Sequence, residues 1–116
     1  MTMELNPSQA LRVLHDMHIQ LVNDGRVDLS TRQLAILFSV YLDPPPHTVR
    51  GLAARLGVSK PVISRALDSM GQLGLLERKR DETDRRNVLV QRTVPGALYI
   101  DYMASLMIER SRGLMS

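Results

Sequence analysis

In the stretch "GVSKPVISRALDSM", residues 57–70, Ser59, Lys60, Pro61, Ser64 and Arg65 bring small polar groups and two cations close together. At about 100° per residue, Pro61, Ser64, Arg65, Asp68 and Gln72 fall on one side of a helix, and Ile63, Ala66, Leu67, Met70 and Leu73 on the other. The thin polar side suits the major groove of duplex DNA. Short side chains let a helix sink between phosphates, and an arginine can bond guanine O6 and N7 together. Ser59 and Lys60 begin the helix, where free N–H groups and the positive dipole end favour a phosphate. Pro61, or Val62 at the margin, is placed to touch a thymine methyl. Asp68, three residues beyond Arg65, is expected to hold its guanidinium in one orientation.

A second group of cations follows. Arg78, Lys79, Arg80, Arg85, Arg86 and Arg92 lie in "LLERKRDETDRRNVLVQRT", with a wholly polar "DETDRR" between two segments that read as strands. A charged ribbon beside a groove-reading helix suits the narrow minor groove, where negative potential draws arginine. Arg80, Arg85 and Arg86 are the ribbon cations expected at DNA. Asp84 is expected to support the tip by orienting Arg86, whereas Asp81 and Glu82 read equally well as solubilising loop charges. Between Arg50 and Arg92 there are ten Lys/Arg against five Asp/Glu, while the rest of the chain is mildly acidic and the whole carries +3. A basic middle points to a polyanion.

Other chemistry is poorly served. His15 and His18 share a helix face, but no third ligand is evident and the chain has no cysteine, so no metal site is expected. Thiol redox sensing and disulfides are excluded for the same reason. No phosphate-binding glycine loop, nucleophile elbow or paired catalytic carboxylates occur, so neither catalytic residues nor cofactors are expected. Tyr41, His18 and the methionines invite a small-molecule pocket, although methionine at helical spacing is usually core. "MTMELNPSQA" lacks the pattern of a secretory signal, and the apolar run Leu34 to Phe38 is too short to span a bilayer. The expected setting is the cytoplasm, with no membrane partner.

The elements that must position these groups can be placed from caps and periodicity. Asn6, Pro7 and Gln9 open a first helix with the stripe Leu11, Leu14, Met17, His18 and Leu21, ending near residues 23–25. Ser30 and Gln33 open a second, apolar almost all round, which "DPPPH" stops. A short helix, about Val49 to Leu56, ends at Gly57, and Ser59 is expected to cap the next with its hydroxyl. Ala53, Ala54 and Ala66 are small enough for these two helices to cross closely. Gly74 ends the reading helix, spanning 59–73, with Leu75 folding back on Met70. A hairpin of two or three strands, 75–93, follows, and Thr93 caps a last helix to about Arg112. A helix-turn-helix followed by such a ribbon is a winged helix, so the expected fold is mainly α: five helices and a small β-wing. Its core is assigned to Leu34, Leu37, Leu52, Leu56, Ile63, Leu67, Leu76, Val88 and Val90.

With that core filled, Leu98, Tyr102, Met103 and Leu106 of the last helix would leave an apolar patch wet, which argues for a dimer. Residues 1–116 read as one domain, with 30–96 the winged helix and 1–25 and 95–116 the dimerisation helices.

The segments "LAARLGVSKPVISRALDSM" and "GLLERKRDETDRRNVLVQRT", with Asp84-x-Arg86 in the wing and Thr93-x-x-Gly96 at its exit, resemble the winged helix of the MarR family of bacterial transcriptional regulators. The resemblance implies a homodimer on a pseudo-palindromic operator, usually as a repressor in the bacterial nucleoid, with an inducer site between the dimerising and DNA-binding parts. Carried over by position, it makes Ser59, Lys60, Pro61, Ser64 and Arg65 groove-facing and Arg85 and Arg86 the wing tip. The chain resembles a trimmed member, with one C-terminal helix where a longer pair of segments is common. Having no cysteine, it departs from the peroxide-sensing branches. A winged helix used for protein contact, as in an antirepressor or adaptor, is the competing reading, and it has no need of Arg65 and a basic wing together.

Overall fold

The computed structural model describes residues 4–115, and side chains to residue 114. The outermost parts of the expected dimerisation segments, residues 1–3 and 116, therefore lie outside the described residues. Seven elements follow in the order α1 (Pro7–Asp24), α2 (Thr31–Leu42), α3 (Val49–Leu56), α4 (Lys60–Gln72), β1 (Leu76–Arg80), β2 (Val88–Arg92) and α5 (Val94–Met115). This is the expected set of five helices and a hairpin. They divide into two compact units: the winged part Leu29–Ile100, and a second formed by the chain up to Asp28 together with the chain from Asp101.

Local chemistry sets most helix boundaries. Asn6 Oδ1 accepts from Gln9 N–H (2.8 Å) while Gln9 Oε1 accepts from Asn6 N–H (3.0 Å), and Ser30 and Gln33 repeat the exchange at 3.1 and 2.8 Å. Each pair satisfies donors that the first helical turn leaves open. Gly57 takes φ 67° between α3 and α4, and Gly74 takes φ 77° after α4. Only a residue without Cβ adopts such angles cheaply. Gly74 N–H donates to Gly71 O and Leu75 N–H to Met70 O, both at 3.0 Å, closing α4 in the doubled turn the sequence suggests.

In the winged unit, Ile36, Leu37 and Val40 of α2 are sealed from solvent together with Ile63, Leu67 and Met70 of α4. Ala53 and Ala66 are buried as expected, but Ala54 is exposed. Two expected core positions lie elsewhere. Val88 is 38% exposed because it ends the hairpin beside the loop, and Leu73 is 46% exposed because it is the C-cap residue, where the helical period no longer applies. Leu34 and Leu56 are only half-buried. β1 and β2 pair antiparallel, Leu76 opposite Arg92 and Arg80 opposite Val88. An isolated bridge from Thr48 to Leu89, with Val90 N–H donating to His47 O at 2.8 Å, adds the trace of a third strand.

In the second unit, Val13, Met17 and Leu106 form a small buried cluster, with Leu5, Leu21, Tyr102 and Leu114 packed against it. The α1 stripe is thus displaced from expectation. Met17 and Leu21 face this cluster, but Leu11, Leu14 and His18 are exposed and Val13 replaces them. The helix carries apolar residues on two faces, and three-and-four spacing alone does not say which one is turned inward. On α5 the expected wet patch is reduced to Leu98: Met103 and Leu106 are buried, as is Tyr99, and Tyr102 is half-buried because α1 packs against this stretch, while Met107 is exposed.

Candidate nucleic-acid interface

α4 displays its polar side to solvent. Pro61, Arg65, Asp68 and Gln72 are exposed and Ser64 half-exposed, while Ile63, Ala66, Leu67 and Met70 are buried beneath. At its start Ser59 is the N-cap residue, but its hydroxyl makes no capping bond. The reason is local. Pro61 has no N–H, and the amides of Val62 and Ile63 both go to Ser59 O, at 3.2 and 3.3 Å. The expected cap is therefore absent, and the Ser59 hydroxyl and the Lys60 amide remain for an external acceptor at the positive end of the helix.

Asp68 also differs from expectation. It does not hold Arg65; Arg78, reaching across from β1, pairs with it. Strand pleat explains the choice. Leu76, Arg78 and Arg80 share one face of β1, and Leu76 is the buried member, so that face turns toward α4. No carboxylate lies within ion-pair distance of Arg65 among the described residues, and its side chain is exposed.

Lys60, Ser64 and Arg86 line a recess of about 210 Å³ together with Val49, Arg50, Arg78, Asn87 and Val88. Four cations from α3, α4 and the wing thus surround one hollow. Arg50 and Arg78 were not among the expected contacts. Both lie in the basic middle of the sequence, but which strand or helix face they occupy is decided by tertiary packing. Ser59, Pro61, Arg65, Arg80 and Arg85 are exposed outside this recess.

The wing loop, residues 81–87, is built by two aspartates. Asp84 holds Arg86 in a fork, Oδ1 accepting from Nε at 3.0 Å and Oδ2 from Nη2 at 3.1 Å, and also accepts from Arg86 N–H. The Arg86 guanidinium keeps the Asp84 carboxyl below the ordinary carboxylate range, and the carboxylate raises Arg86 in return. Asp81 Oδ1 accepts from Thr83 Oγ1 (2.7 Å), Thr83 N–H (3.0 Å) and Asp84 N–H (3.3 Å). The Thr83 hydroxyl leads the bonds that lower its pKa. Asp81 is thus a scaffold of the loop rather than a solubilising charge. Arg92, the last of the ribbon cations, is used within the fold: its Nε donates to Val40 O (2.8 Å) and Nη2 to Asp43 O (3.1 Å), strapping β2 to α2.

A two-helix turn, a reading helix with a polar outer side and a cationic hairpin define a winged helix-turn-helix protein. The sequence model of the MarR family matches residues 27–87, and the chain belongs to that family. MarR-family members are non-enzymatic, DNA-binding regulators of transcription. Among solved structures, that of MarR is similar at 25% identity and TM-score 0.67, covering 95% of this chain and 81% of that one. The S. aureus MepR–DNA complex is similar in fold at 19% identity and TM-score 0.73, covering 91% and 89%. The repressor CouR, bound to a 23-mer DNA duplex, is similar at 24% identity and TM-score 0.70, covering 91% and 72%. No curated protein matches the chain. No helix among the described residues is long and apolar enough to cross a membrane.

Proposed function

We propose that this regulator binds a pseudo-palindromic operator in double-stranded DNA as a homodimer, usually repressing the adjacent gene in the bacterial nucleoid. Residues 59–73 enter the major groove, with Arg65 on a guanine and Ser64 and Pro61 on its neighbours. Ser59 and Lys60 take a phosphate, and Arg80, Arg85 and Arg86 of the wing 75–93 follow the minor groove. The observation that carries this reading is the pairing of Asp68 with Arg78, which leaves Arg65 uncompensated beside the cationic recess. A protein-contact module would have no use for Arg65 and a basic wing together.

Support for pairing comes from apolar groups left in solvent: Leu11, Leu14, Ile19 and Val22 on α1, and Leu98, Met107 and Ile108 on α5. Covering a few hundred Å² per subunit at about 25 cal/mol per Å² contributes several kcal/mol before association costs. Two-fold pairing would place reading helices about 34 Å apart, or a multiple of it. An inducer that separates the bound and free forms belongs to the same reading.

The test is an anisotropy titration against duplexes selected from a random pool, at two salt concentrations. Affinity is expected to fall steeply with salt, as several phosphate contacts require. Arg65→Ala is expected to lose about 1–3 kcal/mol of preference for the selected sequence over random duplex. Unchanged preference would refute the assignment of Arg65.

A further inference from the structure

One phenol, far in sequence from the reading helix, gathers several elements of the winged unit. Tyr41 Oη, near the end of α2, accepts from Thr93 N–H at 2.9 Å and lies 3.0 Å from Leu75 O and 3.1 Å from Thr93 O, the two acceptors for its proton. Thr93 Oγ1 in turn donates to Gly74 O at 2.6 Å and accepts from Gly96 N–H at 3.0 Å. Gly96 is buried against this group, and a Cβ there would overlap both Tyr41 Oη and Leu75 O. The turn that ends α4, the exit of β2 and the first turn of α5 are therefore held to α2 through two hydroxyls and one missing methyl. The stretch of α5 inside the winged unit also carries the exposed Leu98.

We infer that the Tyr41–Thr93–Gly96 clamp is a specificity-determining device: by fixing the first turn of α5 to the end of the reading helix, it sets the half-site spacing the dimer accepts. The inference rests on the dimeric, DNA-binding reading above. None of the three residues touches DNA in it; they are positioning residues. A dimer in which that joint between α4 and the first turn of α5 is fixed presents its two reading helices at one separation. Each base pair added between half-sites shifts them by about 3.4 Å along the axis and rotates one relative to the other. A rigid dimer should reject such changes, and a loosened one should tolerate them.

Tyr41→Phe removes the hydroxyl and keeps the ring. Duplexes selected by the wild type are rebuilt with one, two or three base pairs inserted or deleted at the centre. The wild type is expected to lose about tenfold or more in affinity for a one-base-pair change, and Tyr41→Phe less than about threefold. Base preference within each half-site should be unchanged. A uniform loss that leaves the two spacing profiles parallel would mean the hydroxyl acts on stability alone, and would overturn the inference. Because the sequence has no cysteine, Gln72→Cys supplies one spin-label site per chain, readable without DNA. The distance between labels across the dimer should be narrow in the wild-type background and broad with Tyr41→Phe, and equal widths would overturn the clamp. Thr93→Val repeats both measurements should Tyr41→Phe fail to fold. A wild-type chain that selects no duplex overturns the DNA reading, and the label distances then decide the clamp alone.

Discussion

The two units of this chain use apolar side chains in opposite ways. In the winged unit, α2 and α4 bury Ile36, Leu37, Val40, Ile63, Leu67 and Met70 almost completely. The outward surface of α4 is then polar by composition. In the unit of α1 and the later part of α5, the buried cluster is Val13, Met17 and Leu106, while Leu11, Leu14, Val22, Met107 and Ile108 stand in solvent. The first unit has a core sufficient for its size, and its exposed groups are available for recognition. The second has spent few of its apolar groups on itself, and its stability is expected to depend on what covers them.

The strongest way to break this contrast is to delete volume on each side of it. Ile36→Ala, at a fully buried site, is expected to cost about 2–5 kcal/mol of folding stability in chemical denaturation. Leu14→Glu should cost little folding stability in a dilute chain, because its side chain is already wet. It should instead weaken self-association about tenfold or more, measured by sedimentation equilibrium, since a charge would enter an apolar contact. Equal effects of the two substitutions on folding, with no change in mass, would show that the two units differ less than their exposure suggests.

A finer comparison sets the helix starts against each other. Asn6→Ala and Ser30→Ala remove side chains that accept from the third helical residue, and each is expected to cost about 1 kcal/mol in thermal or denaturant unfolding. Ser59→Ala removes a hydroxyl that caps nothing, so its stability cost should be far smaller, while affinity for duplex DNA falls. A full capping cost at Ser59 would contradict the arrangement in which Pro61 leaves that hydroxyl free.

Helix starts were legible in sequence because a capping box needs only residues three apart. Gly57, Gly74 and the Asp84–Arg86 fork were legible for the same reason: the partners are local. What escaped was decided by elements far apart in the chain. Asp68 looked like a partner for Arg65 because they share a helix face, but strand pleat delivers Arg78 from ten residues away. Tyr41 read as core or pocket lining, and its bonds to Leu75 and Thr93 exist only once β2 lies against α2. The inward face of α1 is not legible in the sequence, because a helix with apolar groups on two faces carries no local mark of which one packs at home. The fold was therefore more legible than the site, and Arg50 and Arg78 entered the site only with the recess they line.

The wing loop offers the smallest effect and a contrast of its own, since its order depends on ionised carboxylates whereas the capping boxes depend on neutral groups. Asp81 and Asp84 both have pKa values lowered in the folded chain, by the Thr83 bonds and by Arg86. A carboxylate with a depressed folded pKa contributes stability that is fully present above its unfolded pKa and is lost as pH falls through the folded value. Both groups lie at the surface, so solvent screening keeps the contribution small. Lowering the pH below the ordinary carboxylate range should therefore loosen the loop before the rest of the chain unfolds. The amide protons of Thr83, Asp84 and Arg86, followed by NMR, should shift together and lose protection, while those of Gln9 and Gln33 hold theirs. Simultaneous loss at all five amides would mean that the loop has no separate acid transition, and that the two aspartates do not organise it.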